Sequence, residues 1–401
     1  MDSRNSMSGK KLRIATVCVG IGYGEAGAVP MRARLQVEEL LRKGHDVAAF
    51  GMYLKHLERI HLPVPYAELR PYLAPRPFAS LTQWTTYEYL ASRALLRAHR
   101  QSPFDVILDH TQYGLARRLV LHRLAAPWIS VVQRTIFDLL QSGCSPYHPW
   151  LGRLYEIGGR YEMRHSDGII ALHKPMKDEI IRETGVPEER IRVIPNGVAL
   201  APESFEGLQQ NRDANTILYV GRLSSEKCVD VLLRAFAKTR TGGARLRIVG
   251  DTPVWREKLE ALAAELNIKD RVKFTGAMTH EGVLAEMRRA GIFVLPSASE
   301  GLPFVILEAL SRGAAVIATR IPGNEAVIRE SLGEGLLFPC GDESLLSAHL
   351  DNLLSDSSLR LRLAKGGHER VRDFFWDTII ARDIAFIEEV ASAFRRNRSS
   401  R

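Results

Sequence analysis

The sequence predicts an α/β protein built from two doubly wound parallel sheets, one in each of two Rossmann-like domains. Three observations point there. The chain has 401 residues, more than one hydrophobic core usually fills, so two domains are expected. Short β-type runs alternate with helical patterns along most of its length. That rhythm breaks once, at the polar stretch ALAPESFEGLQQNRDA, residues 199–214, whose composition suits a linker.

The elements follow in order. LRIATVCV (12–19) is an apolar strand, followed by a Gly-rich loop, a helical pattern over 31–43 and the strand DVAAF (46–50). Strand, loop, helix, strand is the opening of a parallel sheet. DVILD (105–109), WISVV (128–132), DGIIAL (167–172) and RIRVI (190–194) continue it. After the linker come TILYVG (216–221), RLRIVG (245–250), RVKFTG (271–276), IFVLPS (292–297), AAVIAT (314–319) and GLLFP (335–339). A final helix from about 376 to 394 has no strand partner and is expected to cross back to the first domain. The expected division is therefore 1–198 for the first domain, 199–214 for the linker, 215–375 for the second domain and 376–401 for the crossing helix.

Composition narrows the class. Hydrophobic residues at 45% and charged residues at 25% are ordinary for a globular protein. No apolar run reaches the length of a membrane span, and the polar start MDSRNSMSGKK lacks the apolar segment of a signal peptide. The four cysteines, Cys18, Cys144, Cys228 and Cys340, are scattered, which suggests neither a zinc site nor a disulfide framework. A reduced, cytoplasmic protein is expected. The formal charge of +9 suits phosphate-bearing ligands, nucleic acid or an anionic membrane, or simply arginines spread over solvated faces. No nucleic-acid motif accompanies it, so no nucleic-acid partner is expected. His280-Glu281 and His368-Glu369 lack the second histidine of a zinc protease.

In open parallel sheets ligands bind beyond the carboxyl ends of the strands, so the residues there are the candidates. Gly22, Gly24 and Gly27 spell G-x-G-x-x-G after the first strand. A dinucleotide site also needs an acid at the end of the second strand, and here that strand ends Ala49-Phe50-Gly51-Met52. A loop that lets a ligand approach the backbone is the better reading. Arg222 and Lys227 follow Gly221 at the end of the first strand of domain two, where a guanidinium and an ammonium can hold a diphosphate; the alternative is an exposed basic loop. In SASEGLPFVILEALSRG (297–313), Glu300 lies in the loop after a strand. Glu308 lies about one and a half turns into the next helix, read from 303 to 312 with Pro303 in its first turn. A carboxylate among apolar neighbours needs donors. Two vicinal ribose hydroxyls would supply them; solvent or Arg312, at i,i+4, is the other possibility. The NH groups of Gly301 and Leu302 would face a phosphate.

The E-x7-E spacing of Glu300 and Glu308 resembles the signature of the retaining GT-B glycosyltransferases of family GT4. VIPNGV (193–198), ILYVGRLSSEKCVDVLLRAF (217–236), RIVGD (247–251), VKFTGAM (272–278), FVLPSASEGLPFVILEALSRGAAVIAT (293–319) and RKGHDV (42–47) occur in the family's order. The resemblance implies the GT-B fold, with an acceptor-binding first domain and a donor-binding second domain. It implies that Arg222 and Lys227 bind the donor diphosphate and stabilise it as it leaves, beside Gly221. It places Glu308 on the ribose, Glu300 with Gly301, Leu302 and Pro303 on the donor sugar, and Met278 by the base. Gly27 and Ala28 would close over the diphosphate. The sequence departs from the family's pattern in three places. Gly27-Ala28 replaces a Gly-Gly pair, Gln133-Arg134-Thr135 lacks the histidine many members carry, and Ile321-Pro322-Gly323-Asn324-Glu325 is a shifted Gly-rich turn. Arg134 is then a candidate contact for sugar or acceptor.

The resemblance implies a hexosyltransferase moving a hexose from a nucleoside diphosphate sugar, UDP-sugar favoured and GDP-sugar allowed, to a hydroxyl with retention. The chain contains no DxD, so neither metal nor other cofactor is expected, and the two glutamates are binding groups rather than a glycosidase acid–base pair. The alternatives are an NAD-dependent oxidoreductase using the Gly22/Gly24/Gly27 loop and a non-catalytic sugar-nucleotide binder. The acceptor, whether small molecule, glycan or lipid-linked, would bind domain one. There, residues 63–92 carry Tyr66, Tyr72, Phe78, Trp84, Tyr87 and Tyr89, which either stack a ring or form a small core of their own. Arg153, Arg160 and Arg164 near 150–164 offer a peripheral membrane contact or a solvated face.

Overall fold

The computed structural model describes residues 11–21, 28–52, 61–70, 79–111, 124–141 and 149–399. Seven parallel strands form the first sheet: β1 (Arg13–Val17), β2 (Asp46–Met52), β3 (Tyr66–Leu69), β4 (Val106–Asp109), β5 (Trp128–Val131), β6 (Gly168–Ala171) and β7 (Ile191–Val193). Their order is β3-β2-β1-β4-β5-β6-β7. The second sheet has β8 (Asp213–Val220), β9 (Arg245–Val249), β10 (Val272–Gly276), β11 (Ala290–Leu295), β12 (Ala315–Thr319) and β13 (Leu336–Phe338), in the order β10-β9-β8-β11-β12-β13. Strands covered on both faces read as unbroken apolar runs; β11, AGIFVL, is buried at every position. In each sheet the order reverses beside the first strand, between β1 and β4 and between β8 and β11. These switch points are where doubly wound sheets bind ligands.

The helices are α1 (Ala28–Arg42), α2 (Ala79–Gln101), α3 (Ile136–Gln141), α4 (Pro149–His165), α5 (Lys174–Thr184), α6 (Phe205–Gln209), α7 (Val229–Ala237), α8 (Pro253–Glu265), α9 (His280–Arg289), α10 (Phe304–Ser311), α11 (Pro322–Glu325), α12 (Glu343–Ser355), α13 (Ser357–Arg370) and α14 (Trp376–Ser399). Two segments differ from their sequence reading. The stretch 199–214 is not all loop: Ser204 caps α6, its Oγ accepting from the Gly207 NH at 3.2 Å, and β8 begins at Asp213. The aromatic segment 63–92 contributes β3 as an edge strand and most of α2 rather than an insertion. Tyr87 is fully buried in the domain-one core, while Tyr89 is 51% exposed. Tyr72 and Phe78 lie outside the described residues.

Helix α14 packs on domain one. Its Ile379, Ile380, Ile384 and Ile387 share a buried cluster with Ile14, Val37, Val47, Ile129 and Ile170. Within the seam, Arg32 of α1 meets Asp383 of α14, both side chains wholly buried, at 2.9 and 3.2 Å from Nη2 to the two carboxylate oxygens. Gln36 Nε2 donates to the same carboxylate at 3.2 Å. Arg32 Nη1 donates to Asn196 Oδ1 at 2.9 Å, and Asn196 Nδ2 donates to the Leu302 carbonyl at 2.8 Å.

Removing one partner of a buried pair leaves the other charge stranded. Asp383→Ala should therefore lose about 3–5 kcal/mol in urea unfolding. The exposed Asp377→Ala on the same helix should stay within about 0.5 kcal/mol. Equal midpoints for the two variants would show the buried pair to be dispensable.

Candidate active site

The carboxyl edge of the second sheet carries the predicted residues. After β8, Ser225–Lys227 form a single 3-10 turn, and Cys228 takes a left-handed conformation (φ 47°) before α7. The turn places Lys227 inward, beneath the loop that follows β11: Lys227 Nζ lies 2.5 Å from Glu300 Oε1, and the side chains are 14% and 13% exposed. The Ala298 NH donates to the Glu226 carbonyl at 2.8 Å and ties the two loops together. Arg222 does not share this arrangement. Its guanidinium is 74% exposed and pairs with Glu226 at 3.1 Å, so only Lys227 is held against Glu300.

Pro303 is the N-cap of α10 rather than a residue of its first turn, and no side chain caps the helix. The first-turn NH groups of an uncapped helix need an acceptor from elsewhere, and an anion is favoured there. Behind them Glu308 is 6% exposed. Its partner is neither Arg312 nor solvent: His280, the first residue of α9, brings Nε2 to 2.7 Å from Glu308 Oε1. The hydrogen bond to this carboxylate raises the imidazole pKa above its ordinary value, against the desolvation that lowers it. The pair opens on a cavity of about 280 Å3. Arg312, Phe304 and Ser311 line one side of it, and Met31, Arg34, Leu35 and Glu38 of α1 line the other.

Domain one closes against the same loop. A β-carbon at Gly301 would overlap the Gln133 carbonyl oxygen, and one at Gly323 would overlap the Glu300 and Gly301 carbonyl oxygens. Both positions therefore require glycine for space, not for backbone angle. Ser299 Oγ donates to Asp138 Oδ2 across the junction. His173, the N-cap of α5, accepts from the Met176 NH through Nδ1 at 3.1 Å. Burial lowers its pKa to about 4, and a hydrogen bond with the Gly301 backbone pulls it partly back up. The ring is thus neutral at pH 7. A cavity of about 250 Å3 lies here between the domains, lined by Arg134, Thr135, Asp138, His173 and Glu179 of domain one with Glu300 and Pro322 of domain two. Glu179 accepts from Thr135 Oγ1 at 2.6 Å, and its burial raises its pKa.

The structure thus brings Lys227, Glu300, Gly301, Leu302, Pro303 and Glu308 to one edge and sets Arg134 across the cleft from Glu300. Met278 packs against the domain-two core, two residues before His280. Gly22, Gly24 and Gly27 lie outside the described residues, and Ala28 opens α1. Of the arginines proposed for an anionic surface, Arg160 is held by Glu156 and Glu183, and Arg164 donates to the Thr184 carbonyl. Sequence reasoning missed His280 and His173. Each sits at a helix start after a strand, where parallel sheets bind ligands, but nothing local in the sequence says that they face Glu308 and Gly301.

Comparison with known proteins decides the family. Residues 201–370 match the family described as "Glycosyl transferases group 1", and residues 27–197 match the "Glycosyl transferase 4-like domain". The chain is a GT4 glycosyltransferase of the GT-B fold. This glycosyltransferase is 33% identical to a D-inositol 3-phosphate glycosyltransferase of Acidothermus cellulolyticus over 90% of this chain and 85% of that one. It is 30% identical to the lipopolysaccharide core biosynthesis glycosyltransferase LpsD of Rhizobium meliloti, over 77% and 92%. Among solved structures, sucrose-phosphate synthase from Thermosynechococcus elongatus superposes with a TM-score of 0.80 at 22% identity, covering 96% of this chain and all of that one. Anabaena HepE, solved with UDP-glucose, superposes with a TM-score of 0.70 at 18% identity, covering 93% and 99%. These last two likenesses establish the fold.

The Gly301–Gln133 contact gives a prediction about the glycosyltransferase. Gly301→Ala should keep the unfolding midpoint of the second domain but hold the cleft apart. Misplacing the reacting groups by about 1 Å can cost about 100-fold in turnover, and a loss of that order is expected. Wild-type turnover in Gly301→Ala would show that this close approach is not used.

Proposed function

We propose that the protein transfers a hexose from a nucleoside diphosphate sugar, with UDP as the favoured nucleotide, to an acceptor hydroxyl with retention of anomeric configuration. The observation that carries this reading is the buried Glu308 carboxylate behind the uncapped N-terminus of α10. It puts a hydroxyl acceptor behind an anion site on one helix, an arrangement that suits a ribose joined to a diphosphate. Lys227 and the α10 NH groups hold the diphosphate, with Arg222 free to swing in from its exposed pairing. Glu300 releases Lys227 and takes hydroxyls of the donor hexose. The solved complexes of Anabaena HepE with UDP-glucose, and with UDP and glucose, support a nucleotide sugar as donor.

The acceptor oxygen attacks the anomeric carbon from the face the diphosphate leaves. The bond from carbon to phosphate oxygen breaks with its electron pair going to the diphosphate, and the acceptor proton passes to a leaving phosphoryl oxygen. Lys227 and the helix NH groups stabilise the charge that develops. No metal is assigned a role, because the diphosphate charge is met by these groups and the sequence contains no DxD. The acceptor occupies the cavity at Arg134, Asp138 and Glu179, next to Glu300. Relatives named for inositol phosphate and for lipopolysaccharide core leave its identity open between small polyols and lipid-linked glycans. No helix among the described residues is long and apolar enough to cross a membrane. An NAD-dependent reaction is disfavoured by β2: Asp46 lies at its amino end, paired with Arg13 at 3.0 Å, and its carboxyl end carries no acid.

Thermal unfolding with UDP, GDP, ADP and NAD separates the readings. A nucleotide at about 100 times its dissociation constant adds about 2.7 kcal/mol of stability. UDP should do so in wild type and not in Glu308→Ala, and Lys227→Ala should lower turnover by about 100- to 1,000-fold. Product NMR should show the donor's anomeric configuration, and EDTA should leave the rate unchanged. Stabilisation by NAD alone would overturn the glycosyl-transfer mechanism, and UDP binding without turnover on any acceptor would leave a binding protein.

A further inference from the structure

We infer that His280 is a positioning residue for nucleotide binding: it holds the Glu308 carboxylate in the orientation that receives the ribose and makes donor affinity depend on pH. This inference rests on the donor-site reading above. The geometry is specific. His280 Nε2 occupies Oε1 of Glu308 at 2.7 Å, so one carboxylate oxygen is spoken for and Oε2 is left for hydroxyls. The two ends of the pair differ in exposure. The glutamate side chain is 8% exposed and the histidine 59%, so the ring lies on the solvent side of the carboxylate. The ring is itself fixed at its base. Thr279 caps α9 with its Oγ1 accepting from the Gly282 NH at 3.2 Å, which sets His280 as the first helical residue. The segment leading into α9 is Gly276-Ala277-Met278, and a ring between that backbone and Glu308 lies between the places assigned to base and ribose.

The charge balance favours a protonated ring. The Glu308 hydrogen bond raises the imidazole pKa, while desolvation and the guanidiniums of Arg312 and Arg34 act against it. The groups facing the pair are Arg312 and Ser311 from its own helix α10 and Arg34 and Glu38 from α1. His280 is the only histidine among the described residues lining that cavity. A group whose pKa is raised in the folded state gives its full contribution below the ordinary histidine value and loses it as pH rises through the raised one. The imidazolium is a charge-assisted donor, about twice as strong as the neutral ring, and it adds positive charge beside an incoming diphosphate. Nucleotide affinity should therefore fall as pH rises from about 6.5 through the raised value.

The test is isothermal titration of UDP into wild type, His280→Ala, His280→Gln and Glu308→Ala from pH 5.5 to 9, with unfolding midpoints recorded for each. We expect wild-type affinity to fall across that range and His280→Ala to bind about tenfold more weakly at pH 6 with a flat profile. His280→Gln, a neutral donor of similar reach, should recover part of the affinity but not the pH dependence. A merely structural histidine would lower the midpoint without moving the profile. If His280→Ala keeps wild-type affinity and slope while Glu308→Ala loses binding, the role of His280 is overturned and the donor site stands. If no variant binds UDP, wild type included, the donor-site reading fails and this inference fails with it.

Discussion

Arg32 and Asp383 set the geometry on which the site depends. Two charges without solvent exposure cost several kcal/mol each to dehydrate, and their attraction alone seldom returns that. The surrounding hydrogen bonds offset the rest. Asp383 receives both Arg32 contacts and the Gln36 amide, and the other Arg32 nitrogen reaches Asn196 and the Ile194 and Pro195 carbonyls. An apolar seam could bury as much area at lower cost, but it could slide. An ion pair held at both terminal guanidinium nitrogens favours one registration of α14 on α1. Through Asn196 that registration extends to the Leu302 carbonyl, so a contact between two helices also fixes one end of the loop after β11.

The other points of that loop are fixed from domain two. Thr319 Oγ1 donates to the Ser297 carbonyl at 2.5 Å, the Ala298 NH is held by Glu226, and α11 is packed so closely that Gly323 can carry no side chain. Asn324, which donates to Thr319, anchors α11 in turn. Held at both ends, the loop can present uncapped NH groups to an anion without reorganising when charge develops, the condition for efficient electrostatic stabilisation. Lys227 and Glu300 obey the same logic. Mutual pairing keeps both charges partly buried and in place.

Much of this was written in short-range sequence. Runs such as IFVLPS and AAVIAT are buried on both faces and so announce themselves as strands, and the spacing of Glu300 and Glu308 is fixed by one loop and one helix. The edge strand β3 was not legible: four residues, YAEL, mostly half-buried, show no alternation that a pattern could report. Nor were the partners. Arg32 and Asp383 are 351 positions apart in the chain, and His280 and Glu308 meet only because α9 and α10 pack side by side. Local periodicity says that a side chain faces inward, whereas which groups it meets there is settled by the packing of whole elements. The different surroundings of Arg222 and Lys227 were not legible for the same reason. Both follow β8, but the 3-10 turn aims Lys227 at Glu300 and leaves Arg222 in solvent.

The two chain crossings show what domain motion must preserve and what it must break. Ile194 is still bound to the first sheet through the Ala171 carbonyl, whereas Val198 bonds to the Phe374 carbonyl and receives the Trp376 NH. The chain therefore passes from the bonding of one domain to that of the other between Ile194 and Val198, and back between Phe374 and Asp383. Asp383 travels with domain one because Arg32 holds it. Gly301 against Gln133, Ser299 against Asp138 and Asn196 against Leu302 all span the boundary, so an opening wide enough to admit a donor breaks all three. Asn196 lies within the outgoing crossing and bonds the loop that carries Glu300. The same side chain thus ties the outgoing crossing to that loop.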